Sequence, residues 1–267
     1  MMPARRTLRV GAVSYLNTRP LIYRLQQRVP RAELLLDLPS RLADGLQTGA
    51  YDVALIPVIE LFREPDYTIV SDACIACRGP VLSVKVFFRT APQRVRTLAL
   101  DEGSRTSVVL AQVLLWQQHG IRPQLERLPI GRTLDDTQAD AVLLIGDRAI
   151  HAPSGPFAAV WDLGQRWCQS TGLPFVFAVW AARQGTDVHE LGSALAAARD
   201  DGVRNLEAIA AQEAAAVGLP PQQCLAYLRD NLYFYLGARE QQGLSLFRQM
   251  AAELNLVPEA IDVASSP

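Results

Sequence analysis

The stretch Val10-Gly11-Ala12-Val13-Ser14-Tyr15-Leu16-Asn17-Thr18-Arg19-Pro20-Leu21 carries a short apolar strand straight into a cluster of hydrogen-bonding side chains and then a proline. The apolar run from Leu8 to Val13 reads as a buried strand. Pro20 suits the first turn of a following helix, where its missing N–H is an orphan in any case. Ser14, Tyr15, Asn17, Thr18 and Arg19 are thereby placed in a strand-to-helix loop. In open α/β sheets the loop at the carboxyl end of a strand is where ligands bind, and a helix start offers free N–H groups to an anion. Asn17 and Thr18 fit a plain helix cap equally well.

Outward from this stretch the α/β alternation continues. Glu33 to Leu38 reads as a strand, and Pro39-Ser40 opens a helix that Gly49 can end. Asp52 to Pro57 is another buried strand, whose end at Ile56-Pro57 belongs beside the first loop, and Val58 to Arg63 follows as a short helix. Tyr67 to Ala76 and Val81 to Phe88 are β-rich runs around an Arg78-Gly79-Pro80 turn, with Ser83 interrupting the second. Near Ala91-Pro92 the pattern restarts. Thr97 to Leu100 is a strand, and Asp101-Glu102-Gly103-Ser104-Arg105-Thr106-Ser107 leads into a helix that Gly120 ends. Ala141 to Ile145 is a strong strand ending in Gly146-Asp147-Arg148, and the β-type run Pro174 to Ala181 is long enough to cross back. Three helices then follow, about Val188 to Val217, Gln222 to Asn231 and Arg239 to Leu254, while Ala264 to Pro267 reads as frayed. This order predicts an α/β protein of two lobes around a central cleft. One lobe is expected from residues 1–88 plus 179–267 and the other from 89–178, with crossovers at 87–90 and 177–181.

Composition excludes several functional classes. The 267 residues include 26 basic and 27 acidic side chains, so no electrostatic footprint for nucleic acid or an anionic membrane exists and a small-molecule partner is expected. The amino-terminal arginines precede an apolar run of only Val10 to Val13, which does not read as a signal peptide, and no apolar run approaches membrane-spanning length. The expected compartment is the cytoplasm. Cys74 and Cys77 form a lone C-x-x-C with no second pair for a zinc ribbon, and His119, His151 and His189 stand in no ligand pattern. G-x-G-x-x-G, a Walker loop and G-x-S-x-G are missing, so no metal or nucleotide cofactor is expected.

Three loops at strand ends carry groups suited to an anionic ligand: Ser14 to Arg19, Ser104-Arg105-Thr106-Ser107, and Gly146-Asp147-Arg148. The second is the sharper signal, because hydroxyls and free N–H groups at a helix start form a carboxylate or phosphate site, although a simple N-cap accounts for the same residues. Arg148 offers a bidentate hold on an acid, while Asp147 beside it equally fits a simple pairing with some other base.

The run Ser14-Tyr15-Leu16-Asn17-Thr18-Arg19-Pro20-Leu21 is followed by Asp52-Val53-Ala54-Leu55-Ile56-Pro57-Val58, Gly79-Pro80-Val81-Leu82-Ser83-Val84, Ser104-Arg105-Thr106-Ser107, Leu144-Ile145-Gly146-Asp147, Trp161-Asp162-Leu163-Gly164 and Thr171-Gly172-Leu173-Pro174-Phe175-Val176-Phe177-Ala178. Together they resemble the chorismate dehydratase family of the futalosine route to menaquinone, from about Leu8 to Leu256. The resemblance implies the type II periplasmic-binding-protein fold, in agreement with the two-lobed order. It also implies loss of water from chorismate to give 3-enolpyruvylbenzoate, with Asn17 and Ser83 catalytic. Ser14, Tyr15, Thr18, Arg19, Ile56, Pro57, Ser104, Arg105, Thr106, Ser107, Gly146 and Asp147 are implied around the substrate. A related enzyme of that route, which makes dihydroxynaphthoate, is expected to use a cleft histidine, which this sequence does not place at a strand end. A solute-binding protein for a small dicarboxylate is the other reading, since this fold commonly serves that role. An effector domain of a regulator would need a DNA-binding segment, for which no room is seen before Leu8.

Overall fold

Eleven strands form in the computed structural model, which describes residues 7–152 and 155–258. They are β1 (Leu8–Val13), β2 (Ala32–Asp37), β3 (Val53–Pro57), β4 (Tyr67–Cys77), β5 (Val84–Phe88), β6 (Thr97–Asp101), β7 (Gln124–Leu128), β8 (Ala141–Ile145), β9 (Ala159–Asp162), β10 (Phe175–Arg183) and β11 (Tyr233–Tyr235). A six-stranded sheet has the order β11-β4-β10-β3-β1-β2, and a five-stranded sheet the order β7-β6-β8-β5-β9. In the first, β1 lies parallel to β2 and β3, while β10 runs antiparallel to β3 and β4. In the second, β6 lies parallel to β7 and β8, and β5 is antiparallel to β8 and β9.

The continuous apolar runs explain the central strands. Every residue of β3 and β8 is buried, as is every residue of β10 except Arg183. Strands covered on both faces lose the polar alternation of a half-exposed strand. The Pro39–Thr48 helix starts on its proline and ends at Gly49, whose φ of +76° is the left-handed C-cap that glycine adopts without strain. The Thr106–His119 helix follows β6 and supplies a continuous row of buried Val, Leu and Ala to the core.

Several expectations need correction. β5 pairs Val84 with Ile145 and Phe88 with Ala159, so it belongs to the second sheet. The start of β10 pairs Phe175 with Cys77 in the first sheet. The chain therefore passes between sheets at 78–83 and 163–174, not at 87–90 and 177–181. Apolar β-rich composition marks a strand but not its partners, which here are 53 or more positions away along the chain. Pro20 lies inside a 3-10 helix, Leu16–Ile22, and only Leu25–Arg28 continues as α-helix. The long helix expected across 188–217 is two, His189–Arg204 and Leu206–Val217, broken at Asn205. Pro221–Ala226 runs into a π-helical turn, Tyr227–Asn231, and β11 follows it. The expectation for 264–267 lies outside the described residues. Among those residues, no helix is long and apolar enough to cross a membrane.

Candidate active site

The carboxyl ends of β1, β3, β6 and β8 meet the 78–83 passage at a cleft between the sheets. Its lining includes Tyr15, Asn17, Pro57, Ser83, Ser104, Arg105, Thr106, Ser107, Gly146 and Phe177. Most of those residues lie at strand ends or at the helix starts that follow them, where an α/β architecture leaves backbone and side chains free to meet a ligand, while Phe177 lies within β10.

Tyr15 reaches from the first lobe to the second. A β-carbon on Gly146 would lie 3.0 Å from the Tyr15 ring, and Gly146 has a φ of +61°, so only glycine lets the ring settle here. Behind the ring, Asp101 is fully buried and accepts N–H bonds from Gly103 at 2.9 Å and Ile145 at 3.1 Å. Arg148 pairs with it at 2.5 Å, so Arg148 is committed to Asp101 and not held by its neighbour Asp147. Burial pushes the Asp101 carboxyl above its ordinary range, against the pull of Arg148. Burial first, and the Asp101 charge second, push the Tyr15 phenol up to about 12.

On the other side of the cleft, the buried Tyr227 donates from its hydroxyl to Ser83 Oγ at 2.9 Å. The Asn17 side chain is a polar neighbour of the same phenol. Burial raises the Tyr227 phenol strongly, so it stays a donor. Ser83 accepts from Tyr227, and among the described residues its own proton has an acceptor only at 3.4 Å, the Val81 carbonyl. Such a bond is long enough to be exchanged for a ligand. Thr18 is fully buried and donates to Asn17 Oδ1 at 3.3 Å, which helps fix the amide.

The helix start at 104–107 divides its groups differently. Ser104 Oγ accepts the Ser107 N–H at 3.2 Å, the plain capping role. The Thr106 hydroxyl donates to the Phe177 carbonyl at 3.1 Å and accepts from Ile59 N–H at 3.4 Å, which ties the second lobe to β10 and the first. Arg105 is held by Asp44 at 2.5 Å and Glu60 at 3.2 Å, across the same boundary. The Ser107 hydroxyl lines the cleft, and among the described residues no backbone carbonyl takes the N–H groups of Arg105 or Thr106.

Five expected residues do not line the cleft. Ser14 is exposed, and Ile56 is in the core of β3. Thr18 acts behind Asn17, and Arg19 pairs with Glu213 at 2.9 Å. Asp147 begins the short Asp147–Ile150 helix beside the cleft, its carboxyl raised by burial. The sequence reading missed Tyr227, which nothing in its local pattern distinguishes from a core aromatic. Its position on a π turn, a helical irregularity frequent at functional sites, is visible only in the fold.

Neither His119, which stacks on Trp161, nor His151, which bonds the Val217 carbonyl, lines the cleft. Among the described residues no three His, Cys, Asp or Glu side chains gather as a cation site, and no Asp or Glu lines the cleft. Cys74 and Cys77 are free and buried in β4.

A family profile described as menaquinone biosynthesis matches residues 8–253. The chorismate dehydratase of Thermus thermophilus is 33% identical over 258 residues, 90% of this chain and 93% of that protein. Among solved structures, a protein of Archaeoglobus fulgidus superposes with a TM-score of 0.72 at 17% identity, covering 94% of this chain and 98% of that one. The periplasmic aliphatic sulphonate binding protein of Escherichia coli gives 0.64 at 16%, covering 97% and 91%. These two establish the binding-protein-like fold, and the sequence match goes further. The chain belongs to the menaquinone-biosynthesis family that includes the chorismate dehydratases.

Proposed function

We propose that this chain is a carbon–oxygen lyase that removes water from chorismate to give 3-enolpyruvylbenzoate in menaquinone biosynthesis. The observation that carries the reading is the pairing of Ser83, a hydroxyl donor spared by Tyr227, with unpaired N–H groups at the start of the Thr106–His119 helix. The ring proton that leaves is vinylogous to the ring carboxylate. The N–H groups of Arg105 and Thr106 and the Ser107 hydroxyl hold that carboxylate and stabilise the charge delocalised onto it. The ring C–H bond breaks and its electrons spread to the carboxylate. The adjacent C–O bond then breaks, and the departing hydroxide takes up the proton that the base removed from the ring and leaves as water. Ser83, polarised by Tyr227, donates toward that oxygen, and the Asn17 amide orients it.

An amide is no general base at ordinary pH, and among the described residues no Asp or Glu lines the cleft. The base is then the side-chain carboxylate of the substrate itself. Aromatisation supplies the driving force, so positioning and electrostatics suffice. The experiment gives chelator-treated protein chorismate alone and follows absorbance and mass. An aromatic product lighter by one water supports the reading. Binding without turnover favours a solute-binding protein, and turnover only after metal is restored removes the cofactor-free mechanism.

A further inference from the structure

The passage that carries Ser83 has a backbone its own residues would not choose. Leu82 has a φ of +63°, the left-handed region that a branched side chain disfavours. Such a conformation persists only where its surroundings over-determine it. Here the dominant restraint is the Asp162 carboxylate at the end of β9. One oxygen accepts the Val81 N–H at 3.0 Å, and the other the Leu82 N–H at 2.7 Å. The first oxygen also accepts the Gln165 N–H at 3.0 Å, capping the Leu163–Thr171 helix. Opposite Asp162, the π turn grips the same passage twice, through Tyr227 on Ser83 and through Asn231 Nδ2 on the Pro80 carbonyl at 2.9 Å. Gly164 lets the helix start sit directly beneath. A β-carbon there would be 2.6 Å from Cys77 Sγ and 2.8 Å from the Gly79 carbonyl oxygen.

We infer that Asp162 is a positioning residue for Ser83: its carboxylate clamps the Val81 and Leu82 N–H groups and locks the left-handed turn that aims the Ser83 hydroxyl at Tyr227 and the cleft. The inference rests on the proposed role of Ser83 for its consequence in turnover, but the clamp itself is a property of the fold. Only a carboxylate can accept both N–H groups. An asparagine keeps one acceptor, caps a helix as well as aspartate, and turns its NH2 toward the second N–H.

The test compares wild type, Asp162→Asn, Leu82→Gly and the double variant. Glycine adopts positive φ without help, so Leu82→Gly replaces what the clamp enforces. Asp162→Asn is expected to lower kcat about ten- to a hundredfold with KM within about threefold, because misplacement of a reacting group weakens the transition state and not substrate capture. The double variant is expected to recover most of the loss. Amide hydrogen exchange across 79–84 is read alongside, and should quicken in Asp162→Asn and slow again in the double variant. Unchanged kcat and unchanged exchange in a folded Asp162→Asn protein overturn the inference, as does a loss that Leu82→Gly fails to relieve. If wild type leaves chorismate untouched, the proposed function fails, and the exchange pattern alone decides the clamp.

Discussion

The two polar clusters of the cleft look alike in composition and differ in how their hydrogen bonds are distributed. At 104–107, side chains turn inward: Ser104 caps, Thr106 bridges to Phe177, and Arg105 is taken by Asp44 and Glu60. What remains for a ligand is backbone N–H and one hydroxyl. Around Ser83 the reverse holds, since Tyr227 satisfies the serine as acceptor and leaves its proton to be donated. Polar residues at a strand end are therefore not equivalent; the internal partners decide which of them is available.

The sharpest way to break this contrast is Asn17→Ala, which removes one positioned donor and should cut turnover roughly 10²- to 10³-fold while binding persists. Comparable turnover in single-turnover assays would move the chemistry away from this cluster. Next in size is Tyr227→Phe. The hydroxyl that frees Ser83 disappears from a fully buried site, so Ser83 turns its proton elsewhere and kcat should drop about tenfold or more, with KM little changed. Steady-state kinetics check this, and a KM effect alone would assign Tyr227 to packing.

The helix start is tested by separating its neighbours. Ser107→Ala loses a hydrogen bond to a charged group, worth about 1.5–3 kcal/mol, and should weaken substrate binding by an order of magnitude or more. Thr106→Val should instead lower stability, by roughly 1–3 kcal/mol for the unsatisfied Phe177 carbonyl, with a smaller effect on binding. Calorimetry of binding and of unfolding distinguishes the two, and reversed outcomes would reverse the assignment of the hydroxyls. The smallest effect concerns pH. The Tyr15 phenol sits at about 12 in the folded chain against an ordinary 10.0. The contribution from holding its proton is complete below pH 10 and is lost as pH rises through the folded value, so stability should fall across that window. Tyr15→Phe should flatten the fall in denaturant titrations between those pH values.

Much of the frame was legible because its signals are local. The apolar runs marked β1, β3, β8 and β10, and Gly49 and Gly120 ended their helices with positive φ. The cleft loops at Tyr15–Asn17, 104–107 and Gly146 also followed from strand ends, while Ser83 entered only through the family resemblance. What was not legible depends on distant partners. The sheet joined by β5, the commitment of Arg148 to Asp101 and of Arg19 to Glu213, and the hydroxyl of Tyr227 on Ser83 each join positions 47 or more apart. The spread of one ion pair or one hydroxyl bond leaves no periodicity for a sequence to display. Pro20 was misread for a nearer reason: a proline starts a 3-10 turn as readily as it sits within one, and only the Thr18 N–H bond to the Tyr15 carbonyl decides.

The lining without a carboxylate has a consequence for selectivity. Between about pH 5 and 9 no side chain of the cleft changes charge, because Tyr15 and Arg105 titrate far above that range. On the proposed reading, the reagent that takes the proton arrives with the substrate. An analogue with the same ring and carboxylate but no acidic side arm would seat as well and then remain, as an inhibitor. Discrimination would thus be exercised after binding, by what the guest carries, and a receptor scaffold becomes a catalyst with donors alone.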